Sequence, residues 1–329
     1  MSASRYFKTS LLHLHRRIIP LGISFAALPG VTFGCSVCGC SLSSDWALQG
    51  YNETAGLQIS LRDEYYKQSD LRSGTQNANL ATIDTSVNEI QQETLNRNLV
   101  LGLDWVASPN WAVSLQLPYY DRFHSTIQPG ETDISTSHAT GLGDVRVLGR
   151  YQVQQGHESS WSVQLGLKLP TGGINQNFAT GPAASTPLDH GLQLGTGTTD
   201  LLAGVSHFSR PGLYVSWFAQ VLLDQPLAAR DGFIPSSSVN ANTGIRWLNT
   251  SAFTPELQLN ATWNSREHGI NADSANSGGV LVHFSPGLSA DLSTRLNAFA
   301  FLQLPVYQRV SGLQLEARWL LASGVRYNW

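Results

Sequence analysis

The sequence predicts an all-β fold: a single antiparallel transmembrane β-barrel of about twelve strands, with long extracellular loops and short periplasmic turns. Three observations predict it. From residue 55 onward, apolar and polar residues alternate with a period of two, which places one face of each run in an apolar phase and the other in a polar one. Connections between these runs are short and long by turns, as in outer-membrane barrels. The polar face carries more charge than a dry core could hold.

The strands follow in order. Leu57, Ile59 and Leu61 alternate with Gln58, Ser60 and Arg62. Leu99, Leu101, Leu103 and Trp105 form the next apolar face, and Trp111, Val113, Leu115 and Leu117 the one after. Val145, Val147 and Tyr151 make a fourth, and Trp161, Val163, Leu165, Leu167 and Leu169 a fifth. Further strands begin near Thr198, Leu213, Val239, Glu256, Gly279, Thr294 and Leu313. A helix would scatter each of these sets around its axis.

The connections sort by length. Short links fall at 108–110, 154–160, 209–212, 248–253 and 285–291, and long ones at 68–93, 124–142, 171–197, 223–238 and 265–278. Only the last long-side link, around 305–312, is short. A sandwich has no reason to segregate its loops in this way.

The polar face decides which side is wet. It includes Arg62, Glu64, Asp104, Arg122, Asp144, Arg146, Arg150, Lys168, Asp200, Arg246, Arg295, Glu316 and Arg318. Ten of these are candidate lumen-lining residues: Arg62, Asp104, Asp144, Arg146, Arg150, Lys168, Arg246, Arg295, Glu316 and Arg318. Arg146 and Arg150 share one strand face, about 13 Å apart at the usual rise. Such charges either favour anionic or polar aromatic solutes by focusing the field or pair with neighbouring acids to brace the wall. Trp105, Trp111, Tyr151, Trp161, Trp247 and Trp329 sit at strand ends by the short turns, where a girdle at the lipid headgroups uses them. The chain ends on Val325, Tyr327 and Trp329 on one face, a terminal strand that looks like the signal read by the outer-membrane assembly machinery.

Composition excludes other classes. Charged residues make up 13% of the 329, against about 25% in soluble domains. No apolar run of about 20 residues follows the N-terminus, which argues against a helical membrane protein. Nine Trp, ten Tyr and twelve Phe argue against disorder. A net charge of −3 gives no footprint for nucleic acid.

Residues 1–34 read as a signal peptide. Arg5, Lys8, Arg16 and Arg17 precede an apolar stretch over 18–33, and Gly34 suits cleavage before Cys35. A short membrane anchor and lipidation of Cys35 are the alternatives. The chain then divides into a Cys-rich periplasmic segment, 35–54, and the barrel, 55–329.

Four motifs carry a resemblance. Gly141-Leu142-Gly143-Asp144 opens a strand ending Gly149-Arg150-Tyr151; Gly166-Leu167-Lys168-Leu169-Pro170-Thr171-Gly172 follows; then Leu194-Gly195-Thr196-Gly197-Thr198-Thr199-Asp200; and Leu304-Pro305-Val306-Tyr307-Gln308 precedes Gly312-Leu313-Gln314-Leu315. In that order they are similar to outer-membrane transporters of the phenol-degradation meta-pathway type, over roughly residues 95–329. The resemblance implies an outer-membrane channel; it does not imply phenol as the solute.

Cys35, Cys38 and Cys40 form C-x-x-C-x-C, which the resemblance does not cover. In the periplasm they make either one disulfide and a spare thiol or a site for a soft metal ion such as Cu(I), the one cofactor the sequence suggests. Zinc would need a fourth ligand. For catalysis the His residues are scattered: His124, His138, His190 and His268 fall in expected long loops, and no G-x-S-x-G elbow occurs. The expected function is passive or facilitated passage of small polar, anionic or aromatic solutes through the outer membrane of a Gram-negative bacterium, without enzymatic activity. The alternative is a binding or scaffolding barrel whose Cys-rich segment docks a partner or a metal. The partners expected are outer-membrane lipid, the assembly machinery and the solutes themselves.

Overall fold

A computed structural model describes residues 55–156, 158–248 and 252–329. The expected signal peptide over 1–34, the expected segment 35–54 with Cys35, Cys38 and Cys40, and positions 157 and 249–251 lie outside the described residues.

Among the described residues fifteen strands build the fold: β1 (Gly56–Gly74), β2 (Gln76–Asn77), β3 (Ile90–Ser108), β4 (Trp111–Ile127), β5 (Ile134–Leu142), β6 (Val145–Gln155), β7 (Ser159–Leu169), β8 (Asp200–Ser209), β9 (Val215–Pro226), β10 (Phe233–Ile234), β11 (Ser238–Trp247), β12 (Phe253–Asn264), β13 (His268–Gly269), β14 (Gly279–Asp291) and β15 (Leu296–Asn328). The wall runs β1-β3-β4-β6-β7-β8-β9-β11-β12-β14-β15 and closes by pairing β15 with β1. Every pairing in it is antiparallel.

These eleven strands make twelve crossings, because β15 crosses twice. Its first leg pairs with β14 from Asn297 to Val310, and its second pairs with β1 from Val310 to Asn328. The turn between the legs is tight. Gly312 takes φ +65°, a left-handed conformation that glycine adopts without the Cβ penalty. The expected link over 305–312 therefore shrinks to the turn around Ser311, and Pro305 belongs to the strand.

The two faces sort as the alternation predicts. Outward-facing Leu61 is 41% exposed, Leu165 64% and Leu321 40%, while inward-facing Glu64, Lys168 and Arg246 are buried. A water-soluble protein rarely leaves so continuous an apolar band uncovered; hydrocarbon removes the cost. Trp105, Trp111, Tyr151, Trp161, Trp247 and Trp329 ring the short-turn end, all exposed outward. Trp111 meets Tyr151 in a tilted contact at 4.7 Å, and His207 lies between Trp161 and Trp217 at 4.4 and 4.8 Å.

The connections at this end join β3 to β4, β6 to β7, β8 to β9, β11 to β12 and β14 to β15, with the described turns at 109–110, 210–214 and 292–295. The expected link at 285–291 is strand, since β14 runs to Asp291. At the opposite end the strands reach further than the sequence predicts. β1 continues to Gly74, β4 to Ile127, and β5 pairs with the top of β4 inside the expected loop 124–142. Beyond the apolar band both faces are wet, so the period-two signal fades while the hydrogen-bond ladder persists.

β5 and β6 are one return strand broken at 143–144. Tyr119 pairs with Leu142 and Gln116 with Arg146, so two residues of β4 face three on the return strand, a bulge. Gly143 donates its N–H to the Pro118 carbonyl at 2.9 Å. A Cβ on Gly143 would collide with the Tyr120 ring, which explains the glycine.

Candidate functional site

The barrel encloses a cavity of about 390 Å³, lined by inward residues of β1, β3, β4, β6, β7, β9, β11 and β12 and by the chain between β7 and β8. Its walls are unlike. From β1 to β9 they carry charges; on β11 and β12 they carry Asn240, Asn242, Thr262 and Asn264. Thr262 donates to Asn240 Oδ1 at 2.9 Å and Asn260 to Asn242 Oδ1 at 2.9 Å, so this wall is a ladder of amides and hydroxyls.

The charges are mostly paired. Arg62 Nε stands 2.7 Å from Glu64 Oε1, and Asn98 donates to Glu64 Oε2 at 3.2 Å. Arg146 Nη2 reaches Asp224 Oδ2 at 3.1 Å. Lys168 pairs with Asp200 and lies 4.0 Å from Asp224 Oδ1, so Asp224 is shared between β6 and β7. Of the two readings of the basic residues, bracing by neighbouring acids describes Arg62, Arg146 and Lys168. Arg146 is nevertheless 40% exposed at its side chain, and Arg122 bonds neutral oxygens: Asn96 Oδ1 at 2.8 Å and the Gly191 and Gln193 carbonyls at 3.0 and 3.3 Å. Arg146 thus keeps an exposed face toward the cavity, and Arg122 sets its charge among neutral partners.

The other candidates lie apart from this cavity. Arg150 is half-buried further down β6. Asp104 accepts the Ser114 hydroxyl. Arg246 pairs with Glu256 at 3.2 Å near the short turns. Glu316 is buried and accepts from Gln308 at 3.4 Å. Two candidates are corrected. Arg295 is exposed in the turn before β15, where Ser293 Oγ accepts the N–H groups of Arg295 and Leu296 and delays the strand. Arg318 has a side chain 75% exposed and paired with Asp70 at 2.8 Å. Register shifts between Tyr66 and Asp70 change the parity of β15 there, and one slipped residue sends a side chain to the other face.

The residues that sequence reasoning missed are Asp224, which the parity of Gln220 and Leu222 could have found, and the chain from Gly172 to Thr196. That chain folds inward and lines the cavity with His190, Gly191, Gln193 and Thr196. His190 stacks on Phe233 at 3.7 Å; half-burial and then Arg230 hold its imidazole below the usual range. Of the other His residues expected in loops, His124 stands in β4 with Nδ1 2.8 Å from Thr94 Oγ1, His138 stands in β5 2.6 Å from Asp121, and His268 stands in β13.

At the long-loop mouth, carboxylates crowd together. Burial first, and then Glu89, Asp273 and Glu267, raise Asp189 well above the usual carboxylate range. Burial raises Asp273 to about 6.

No family model matches the chain, and no curated protein matches it in sequence. Solved structures do. The COG4313 outer membrane channel from Pseudomonas putida F1 aligns with 84% of this chain and 96% of its own, at 10% identity and a TM-score of 0.60. The transport unit of the autotransporter AIDA-I from Escherichia coli aligns with 85% of this chain and 92% of its own, at 10% identity and a TM-score of 0.48. The β domain of the Bordetella autotransporter BrkA covers 84% of this chain and 100% of its own, at 14% identity and a TM-score of 0.46. The architecture is thus that of a Gram-negative outer-membrane β-barrel.

Proposed function

We propose that the protein is an outer-membrane channel that passes small polar, anionic or aromatic solutes by passive or facilitated diffusion, and that it performs no covalent chemistry. One observation carries this reading: a polar cavity of about 390 Å³ inside a barrel whose outer face is an apolar band with an aromatic girdle. The fold shared with the COG4313 channel supports it, as does the succession of motifs resembling meta-pathway transporters. Tyr66 and Tyr120 on one wall give a ring surface, Arg122 and Arg146 meet an anionic group, and the amides of β11 and β12 meet hydroxyls or carbonyls. The protein reaches the membrane by signal-peptide export and assembles through its terminal strand ending at Trp329. The segment with Cys35, Cys38 and Cys40 stays on the periplasmic side as a disulfide or a soft-metal site. Planar-bilayer recording of the folded, purified barrel tests the reading. Discrete conductance steps are expected; a well-folded protein that gives none overturns it.

A further inference from the structure

Two of the glycine-bearing motifs, Pro170-Thr171-Gly172 and Gly195-Thr196-Gly197, are explained by neither the wall nor the cavity charges. They are the two ends of the long connection between β7 and β8, and they meet at one carboxylate. Asp144, at the bulge between β5 and β6, accepts the Gly172 N–H on Oδ1 at 3.0 Å. Its Oδ2 accepts the Thr196 N–H at 2.8 Å and the Thr196 hydroxyl at 2.9 Å. The ends also bond each other, with Leu194 and Gly195 donating N–H to the Gly173 carbonyl at 3.0 and 3.1 Å. Thr171 ties the same neck to the wall. Its hydroxyl donates to the Gly143 carbonyl at 2.8 Å and accepts the Val145 N–H at 2.9 Å.

The glycines are required by this crossing. A Cβ on Gly172 would stand 2.6 Å from the Gly195 Cα, and one on Gly195 would stand 2.5 Å from Asp144 Oδ1. Either would part the strands of the neck or expel the carboxylate.

Beyond the neck the connection is a folded unit. Phe178, Ala183, Leu188 and Leu192 form its own small core. The Gln193 side chain accepts the Gln176 N–H at 2.8 Å and donates to the Gln176 and Leu188 carbonyls at 3.0 and 2.9 Å. It packs on itself and is tethered to the wall at separate points: Asp144 at the neck, Arg122 at the Gly191 and Gln193 carbonyls, the His190 ring on Phe233, and β5, where Thr180 bridges Thr136 and the Ala183 N–H donates to Ser135 Oγ at 3.0 Å.

We propose that Asp144, with Arg122, is a positioning residue that holds this unit across the cavity, and that the unit's inner face, His190 to Thr196, sets the size of solute that passes. The size-selecting part rests on the channel reading; the clamp itself does not. A buried carboxylate accepting three donors makes charge-assisted bonds, stronger than ordinary neutral hydrogen bonds, so one substitution loosens the neck.

Two measurements on the full folded barrel test it. In Asp144→Ala, hydrogen exchange of peptides covering 171–198 is expected to speed up at least tenfold, with β4, β7 and β9 unchanged. Thr196→Val and Arg122→Gln give smaller accelerations in the same peptides and serve if Asp144→Ala does not fold. In the second measurement, Asp144→Ala raises single-channel conductance about twofold or more and admits larger neutral oligosaccharides in liposome swelling. Unchanged exchange over 171–198 in every variant overturns the clamp. Faster exchange with an unchanged size limit overturns the selecting role. A wild-type barrel that passes no current overturns the channel reading instead, and the exchange result still decides the clamp.

Discussion

Phe301 lies flat over Gly287, its paired residue across β14 and β15, so closely that a Cβ on the glycine would fall inside the ring. The same device recurs around the wall: Phe218 covers Gly244 on β11, and Phe299 covers Gly324 on the second leg of β15. In each case the glycine lets an inward-facing ring lie against the wall. Gly287→Ala is expected to force the Phe301 ring toward the lumen and to destabilise the barrel by about 1–3 kcal/mol, the usual cost of overpacking. Urea unfolding in lipid checks this. Adding Phe301→Leu to Gly287→Ala should recover most of the loss, because the clash needs both partners.

Asp224 balances two cations, Arg146 on β6 and Lys168 on β7. Asp224→Asn leaves Lys168 its partner Asp200 but frees Arg146. The expected outcome is a severalfold rise in the permeability of chloride relative to potassium, read as a shift in reversal potential across a salt gradient. Arg146→Glu combined with Arg150→Glu moves the same potential the other way.

The mouth carboxylates predict a pH dependence with a definite sign. Asp273 is raised by burial to about 6 in the folded protein, against about 3.9 for an exposed Asp. A raised carboxyl favours the folded loop fully below about pH 4, and that contribution is lost as pH rises through 6. Asp189 is raised in the same direction. The connection between β12 and β14 should therefore exchange its amides more slowly, after correction for intrinsic rates, at pH 5 than at pH 7.5. Asp273→Asn should flatten that difference and slow exchange at pH 7.5. The free energy at stake is on the order of 3 kcal/mol at most.

For Cys35, Cys38 and Cys40, export predicts a mature chain two protons lighter than its fully reduced form, restored by reductant and indifferent to a chelator. Native mass spectrometry reads the difference directly. A mass excess removed by chelation identifies the soft-metal site instead.

The wall was legible because lipid and water impose opposite demands on alternate residues. Leu57 to Leu61 and Trp161 to Leu169 carry that pattern in plain form, and they stand in the wall as the pattern requires. Above the apolar band the pattern weakens, which is why β5 was hidden within an expected loop. Arg318 was misplaced because the register shifts along β1 and β15 depend on pairing, and no single-strand pattern contains them. The neck at Asp144 was illegible for another reason. Its partners, Gly172 and Thr196, lie far along the chain, and nothing local in Gly143-Asp144 announces that a distant loop must return there.

The ring closes between the earliest and latest parts of the described chain, with Gln58 opposite Asn328 and the Trp329 N–H donating to the Leu57 carbonyl at 2.8 Å. Until that final leg arrives, β1 has one edge of bare amides and carbonyls, which hydrocarbon cannot solvate. Closure of the ring therefore waits on the second leg of β15, whose ladder with β1 runs from Val310 to Asn328. A chain that lacked the whole second leg of β15 would be left as an open sheet with two hungry margins, a substrate for proteases and for aggregation.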